Sequence, residues 1–178
     1  MEPKPAGIVP ALLALAGDLD LRLTHLLCTH AHDDEDMAIP LLRSRTGARV
    51  IASEFAPIEA DDRLGHGDML AFGNEVLHVL GTPAHTRGCL SYRWRDCVFT
   101  GDALLIHGCG RTDLPGGDAG TLFDSITLRV LVLSDDTLVF PGHETHGRTV
   151  STIAEERARN PCVANRTRDE FITHRCQR

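Results

Sequence analysis

Four short polar clusters, each placed where an apolar run that reads as a strand gives out, constrain this chain most: His30-Ala31-His32-Asp33-Asp34, Pro83-Ala84-His85, Gly101-Asp102 and Pro141-Gly142-His143. Loops at strand ends collect ligand sites because they can converge while the strands hold them rigid. A fold consistent with all four clusters brings several strand ends to one rim. The chemistry of the sequence is then expected there.

The pattern between the clusters supplies the strands and helices. Ile8–Ala16 has helical spacing and stops at Gly17-Asp18. Leu23–Cys28 reads as a short buried strand that runs directly into the first cluster. Asp33–Asp36 offer an N-cap and first-turn acids to a helix over Met37–Arg45, which Thr46-Gly47 closes before a strand at Arg49–Ala52. Alternating segments at Met69–Phe72, Glu75–Leu80, Cys89–Trp94 and Cys97–Thr100, separated by Gly, Asn and Asp turns, predict a β-meander. A Gly-rich loop over Gly108–Gly120 precedes a helix at Leu122–Val132. A strand at Thr137–Phe140 and a helix at Thr149–Arg159 follow. The class is mixed α/β (α+β), and with no repeat, linker or low-complexity tract the 178 residues read as one domain.

Composition excludes several roles. The hydrophobic share of 42% and charged share of 24% suit a globular protein. No apolar run approaches the roughly 20 residues that span a bilayer, so no membrane partner is expected. With a net charge of -7 and scattered Lys and Arg, no nucleic-acid partner is expected either. Met1–Pro10 does not read as a secretory signal, which makes the expected location cytoplasmic. The six cysteines contain no CxxC pair and read mostly as reduced thiols. A chain this long folds without a metal, so any metal here is functional.

Taken singly, a histidine such as His85 beside a proline is more often a turn or core residue than a ligand. The HxHxD run changes that weighting, because it puts like groups on one side of an irregular loop, a pattern that solvated turns seldom need. Histidine nitrogen with carboxylate oxygen suits zinc, iron(II) or manganese, and two His with one carboxylate leave positions open for reactants.

Thr29-His30-Ala31-His32-Asp33-Asp34-Glu35 resembles the T-H-x-H-x-D-H signature of the metallo-β-lactamase superfamily, with Glu35 where the superfamily's second-metal histidine stands. Within it the chain resembles the persulfide dioxygenases, most specifically over Phe99–Ile106, the run Gly108-Cys109-Gly110-Arg111-Thr112-Asp113, Thr149–Thr152 and Glu155-Glu156-Arg157. The resemblance implies an αββα sandwich and one Fe(II) per chain held by His30, His85 and Asp102. His32, Asp34, Glu35 and His143 would form an outer shell or the remnant of a second metal site. It also implies oxidation of a thiol persulfide, such as glutathione persulfide, to sulfite with O₂. Arg111 is then the candidate for gripping an anionic substrate, with a salt bridge to Asp113 or Asp118 as the equal alternative. Cys109 is read as a small buried residue without a catalytic part.

Three departures bear on activity: Glu35, Thr145 where relatives commonly carry tyrosine, and the lack of the superfamily's usual N-terminal strands before Ile8. Uncovered sheet would then be covered by a homodimer partner, a rerouted N-terminus or aggregation. Two further readings keep the fold. One is a zinc-dependent, glyoxalase II-like thioester hydrolase, against which Glu35 counts, and the other is a non-catalytic member.

Overall fold

The computed structural model describes residues 5–32, 38–143 and 147–173. Helix α1 (Pro5–Asp18), strand β1 (His25–Leu27), helix α2 (Ala38–Thr46) and strands β2 (Arg49–Ser53) and β3 (Asp62–Leu64) form the first half of the architecture. The second half holds β4 (Met69–Phe72), β5 (Glu75–Gly81), β6 (Leu90–Trp94), β7 (Cys97–Gly101), α3 (Ala119–Ser125), β8 (Leu138–Pro141), β9 (Ser151–Thr152), α4 (Ile153–Arg159) and α5 (Arg168–Thr173). The helix expected at Leu122–Val132 starts earlier, where Asp118 accepts a hydrogen bond from the Thr121 amide, and loosens into a π-helical turn over Ile126–Val130. The last long helix begins at Ile153 rather than Thr149, because Ser151 and Thr152 pair with β8 first.

Two sheets result. A three-stranded parallel sheet has the order β1-β2-β3, and a six-stranded sheet runs β4 to β9 in sequence order, antiparallel except for the β7/β8 pair. Val50, Ile51 and Ala52 on the central strand of the small sheet are at most 1% exposed. Their continuous apolar run is what a parallel strand covered on both faces requires. Leu77, Val79, Leu90 and Tyr92 of the large sheet pack with Leu27 and Leu64 of the small one, which places this cluster between the sheets. Each such buried aliphatic side chain contributes about 1.5–3 kcal/mol.

The opposite faces carry helices. Val9 of α1 and Ala38 and Leu42 of α2 pack with Leu26 of β1. Val98 and Val139 of the large sheet meet Leu122, Ile126, Ile153 and Phe171 from the other helical layer. The order of layers is therefore αββα, as expected. The small sheet does not cover the whole inner face of the large one: Phe99, register partner of the buried Tyr92, is 38% exposed and stacks on Phe140 at 5.4 Å. Among the described residues no helix is long and apolar enough to cross a membrane, and no disulfide joins any two of Cys28, Cys89, Cys97, Cys109 and Cys162.

Candidate metal centre

The four clusters leave the sheets at one rim. His30 follows β1, His85 follows β5, Asp102 follows β7 and His143 follows β8. The first loop is tied to both sheets: the Cys28 amide donates to Ile51 O at 2.9 Å, while the Leu90 amide donates to Thr29 O at 2.7 Å. The Tyr92 hydroxyl adds a bond to Cys28 O at 2.8 Å. His85 stands after Ala84, whose φ of +127° is a conformation that costs an alanine about 1–3 kcal/mol. Bonds from the Ala84 amide to Thr86 O and from the Asp118 amide to Ala84 O hold that backbone in place.

Three imidazoles converge. The rings of His30, His32 and His85 lie 5.0–5.2 Å apart, each nearly perpendicular to the others, and one ring nitrogen of each falls within 4.8 Å of the other two. Asp102 Oδ2 lies 3.8 Å from His30 Nε2 and 3.5 Å from His85 Nε2. The other carboxylate oxygen, Oδ1, accepts from His143 Nδ1 at 2.7 Å. His85 Nδ1 donates to Arg111 O at 2.8 Å, which leaves the Nε2 lone pair facing the cluster. Thr29 Oγ1 lies 3.0 Å from His30 Nδ1 on the side away from the site.

Electrostatics point the same way. Burial lowers the His30 pKa to about 4; Asp102 pulls it back up in part, and the neighbouring histidines His85, His32 and His143 push it further down. At neutral pH His30 is therefore uncharged with a lone pair available, the form that binds a metal. His85 is 3% exposed and Asp102 7%, whereas His32 is exposed at the rim. Nitrogen donors with one carboxylate, oriented by a carbonyl and by His143, fit a borderline divalent cation.

Gly110 makes the close packing here feasible. A Cβ at this position would sit 2.1 Å from Asp102 O and 3.1 Å from His85 Cγ. The Gly108–Asp113 run thus lies directly against two of the expected ligands, through Gly110 and through the Arg111 carbonyl.

His30, His85 and Asp102 lie together, with His143 against the far oxygen of Asp102. His32 stands within ligand distance rather than behind the ligands, its Nε2 3.3 Å from that of His85. Asp34, Glu35 and Thr145 lie outside the described residues. The Arg111 guanidinium takes the salt-bridge alternative: Nε and Nη2 fork onto Asp113 at 2.7 and 2.8 Å, so its main chain, not its charge, faces the site. The sequence reading missed a second cluster. Glu156, fully buried, accepts from Ser151 Oγ at 2.6 Å, Asn160 Nδ2 at 2.8 Å and the His107 amide at 2.9 Å. Asn160 Nδ2 also donates to Leu105 O and Gly108 O, so α4 clamps the segment that links Asp102 to Arg111. Glu155 beside it is occupied by Arg148, Ser151 and His107, which marks the cluster as structural.

This fold and rim define a class. Residues 52–143 match the family described as the metallo-beta-lactamase superfamily, and the chain belongs to it. It is 42% identical over 150 residues to the mitochondrial persulfide dioxygenase ETHE1 of Homo sapiens, which covers 83% of this chain and 59% of that protein. The crystal structure of ETHE1 from Myxococcus xanthus superposes with a TM-score of 0.89 at 47% identity, over 93% of this chain and 74% of that one. The hydroxyacylglutathione hydrolase GloC of Haemophilus influenzae is 31% identical, over 92% of this chain and 86% of that protein. The chain thus spans about 59% of the length of the human persulfide dioxygenase.

Proposed function

We propose that this protein is an iron-dependent persulfide dioxygenase that oxidises the terminal sulfur of glutathione persulfide, or of a similar thiol persulfide, to sulfite. The balance is one persulfide, one O₂ and one water giving thiol, sulfite and protons. The observation that carries the reading is the contact of the Gly108–Asp113 run with the ligand cluster, through Gly110 against Asp102 and Arg111 O on His85 Nδ1. That run is the most specific part of the resemblance to persulfide dioxygenases. The identities of 42% and 47% to proteins of that name support it independently.

His30, His85 and Asp102 would hold one Fe(II), and the iron supplies the redox chemistry that joins dioxygen to sulfur. His143 keeps Asp102 Oδ1 engaged and so directs Oδ2 to the cation. The Arg111 carbonyl fixes the His85 tautomer. His32, exposed at the rim and aimed at His85, is placed to hand a proton to the departing thiolate.

Protein purified anaerobically without chelator should contain about one iron per chain and take up O₂ only when a persulfide is added. Iron-loaded protein that consumes no O₂ with persulfide refutes the reading. Two zinc ions per chain with hydrolysis of a glutathione thioester would establish the hydrolase alternative, for which the 31% identity to GloC is the weaker support.

A further inference from the structure

A cleft of about 450 Å³ opens beside the ligand cluster, its wall formed by Ala31, His32, Phe55, Thr86, Arg87 and Leu114 among others. Most of this lining is apolar or neutral. Arg87 is the exception: its guanidinium carbon lies 4.7 Å from the centroid of the Phe55 ring, and among the described residues no carboxylate pairs with it. Arg111, two residues beyond Cys109, has the opposite arrangement, with its fork filled by Asp113. An arginine laid over an aromatic face keeps its charge and its N–H edge while losing much of its rotamer freedom, so it is prepared to receive an anion.

The local chain path holds this arrangement next to the metal ligands. Arg87 sits in the tight turn that follows His85, closed by the Cys89 amide on Thr86 O and the Thr86 amide on Cys89 Sγ. A Cβ on Gly88 would lie 2.9 Å from Ala56 N and 3.0 Å from Phe55 C, so the turn and the Phe55 loop can close on each other only with glycine there. One turn therefore carries a buried ligand, His85, and, two residues later, an exposed cation at the cleft wall.

The geometry points to Arg87, braced by Phe55, as the residue that recognises a substrate carboxylate, so that the cleft selects persulfides of carboxylate-bearing peptide thiols over neutral ones. This rests on the persulfide reading for its reaction, but not for its binding. A thiol persulfide whose sulfur reaches the ligand cluster past His32 would lay its remaining atoms along the cleft, where Arg87 is the cation that no described carboxylate pairs with. With a net charge of -7 the protein as a whole disfavours an anion, so a local cation at the cleft wall is needed to hold one.

The test compares glutathione persulfide with the persulfide of glutathione diethyl ester, which keeps the shape and loses both carboxylates. Wild-type protein should favour the acid by about tenfold in kcat/KM through KM, the size of one charge-assisted pair at a solvent-open site. Arg87→Ala should abolish that preference, and Arg87→Lys should restore part of it. Equal handling of acid and ester by the wild type, or a preference that survives Arg87→Ala, overturns the proposal. A second measurement needs no turnover: calorimetric binding of S-methylglutathione and its diethyl ester. If persulfide oxidation fails but S-methylglutathione binds, and binds about tenfold more weakly to Arg87→Ala, the reaction is wrong and the cleft assignment stands. No binding by the wild type, or equal binding by the variant, refutes the assignment. Arg87 is exposed, so its replacement leaves the core intact.

Discussion

Replacing Gly110 by alanine tests whether the loop behind the candidate metal centre determines its geometry. The new Cβ would lie 2.1 Å from Asp102 O, whereas ordinary contact begins at 3.4 Å, so something must move by 3.4 − 2.1 = 1.3 Å. The obstructing atom is a main-chain carbonyl, which no side-chain rotation can clear. His85 Cγ at 3.1 Å blocks the alternative direction. Either the Asp102 segment retreats or the 108–111 loop does, and the second movement stretches the 2.8 Å bond from His85 Nδ1 to Arg111 O. Overpacking of this kind costs about 1–3 kcal/mol, and loss of an orienting bond to a ligand weakens metal affinity about 10–100-fold. Urea unfolding of the metal-free variant reads the first quantity, and chelator competition reads the second. Gly17→Ala is the control, since nothing lies within 4 Å of a Cβ there; in helix α1 it should stabilise by up to about 1 kcal/mol. If Gly110→Ala keeps wild-type affinity within twofold and its stability within about 0.5 kcal/mol, the loop does not set the site.

Three further outcomes are expected. Glu156→Ala leaves the His107 N–H without its acceptor and takes one bond each from Ser151 and Asn160, which keep Glu155 and the Leu105 and Gly108 carbonyls, so it should destabilise by about 1–3 kcal/mol in urea melts; a loss below about 0.5 kcal/mol would show that the clamp is dispensable. The Arg148 guanidinium and then Ser151 hold the Glu155 carboxyl at about 2, below its ordinary 4.5, so its contribution is complete above pH 4.5 and is lost as the pH falls toward 2. Arg148→Met should therefore flatten the acid limb of a stability-against-pH curve, and an unchanged limb contradicts the assignment. Since His30 hangs from the small sheet and His85 and Asp102 from the large one, metal at about 1,000 times its Kd should raise unfolding free energy by about 4 kcal/mol, and an unfolding midpoint that ignores chelator would count against the shared site.

Much of this architecture is legible in the sequence because its signals are periodic or punctuated. Met69–Phe72 and Arg49–Ala52 read as strands from alternation or a continuous apolar run, and the second extends one residue further to Ser53. Strand β3 does not: Asp62-Arg63-Leu64 has no apolar period and is held by Arg49 forking onto Asp62 and by Arg63 donating to Ser53 O and Ala56 O. Such pairing depends on residues seven or more positions away and leaves no local trace. Helix α5 spans six residues with one buried side chain, Phe171, too few to show a 3.6-residue period. The π-helical turn has no compositional mark.

The site divides along a related line. Groups that act through side chains, His30, His85, Asp102 and His143, are visible because their types and spacings are chemically specific. Groups that act through the main chain are not: Arg111 draws attention as a guanidinium, yet its carbonyl is what orients His85. Glu156 is the same kind of omission, since an acid in a short helix reads as a solvated face until the fold surrounds it with three donors. The two omissions are physically connected. Glu156 and Asn160 hold Leu105, His107 and Gly108, those residues set the path of the loop, and the loop delivers Gly110 and Arg111 O to the ligands. The candidate metal centre assembled from strand ends thus depends for its geometry on a buried carboxylate more than fifty residues along the chain from Asp102. Conservative change in α4 should therefore alter the metal site while leaving every ligand in the sequence.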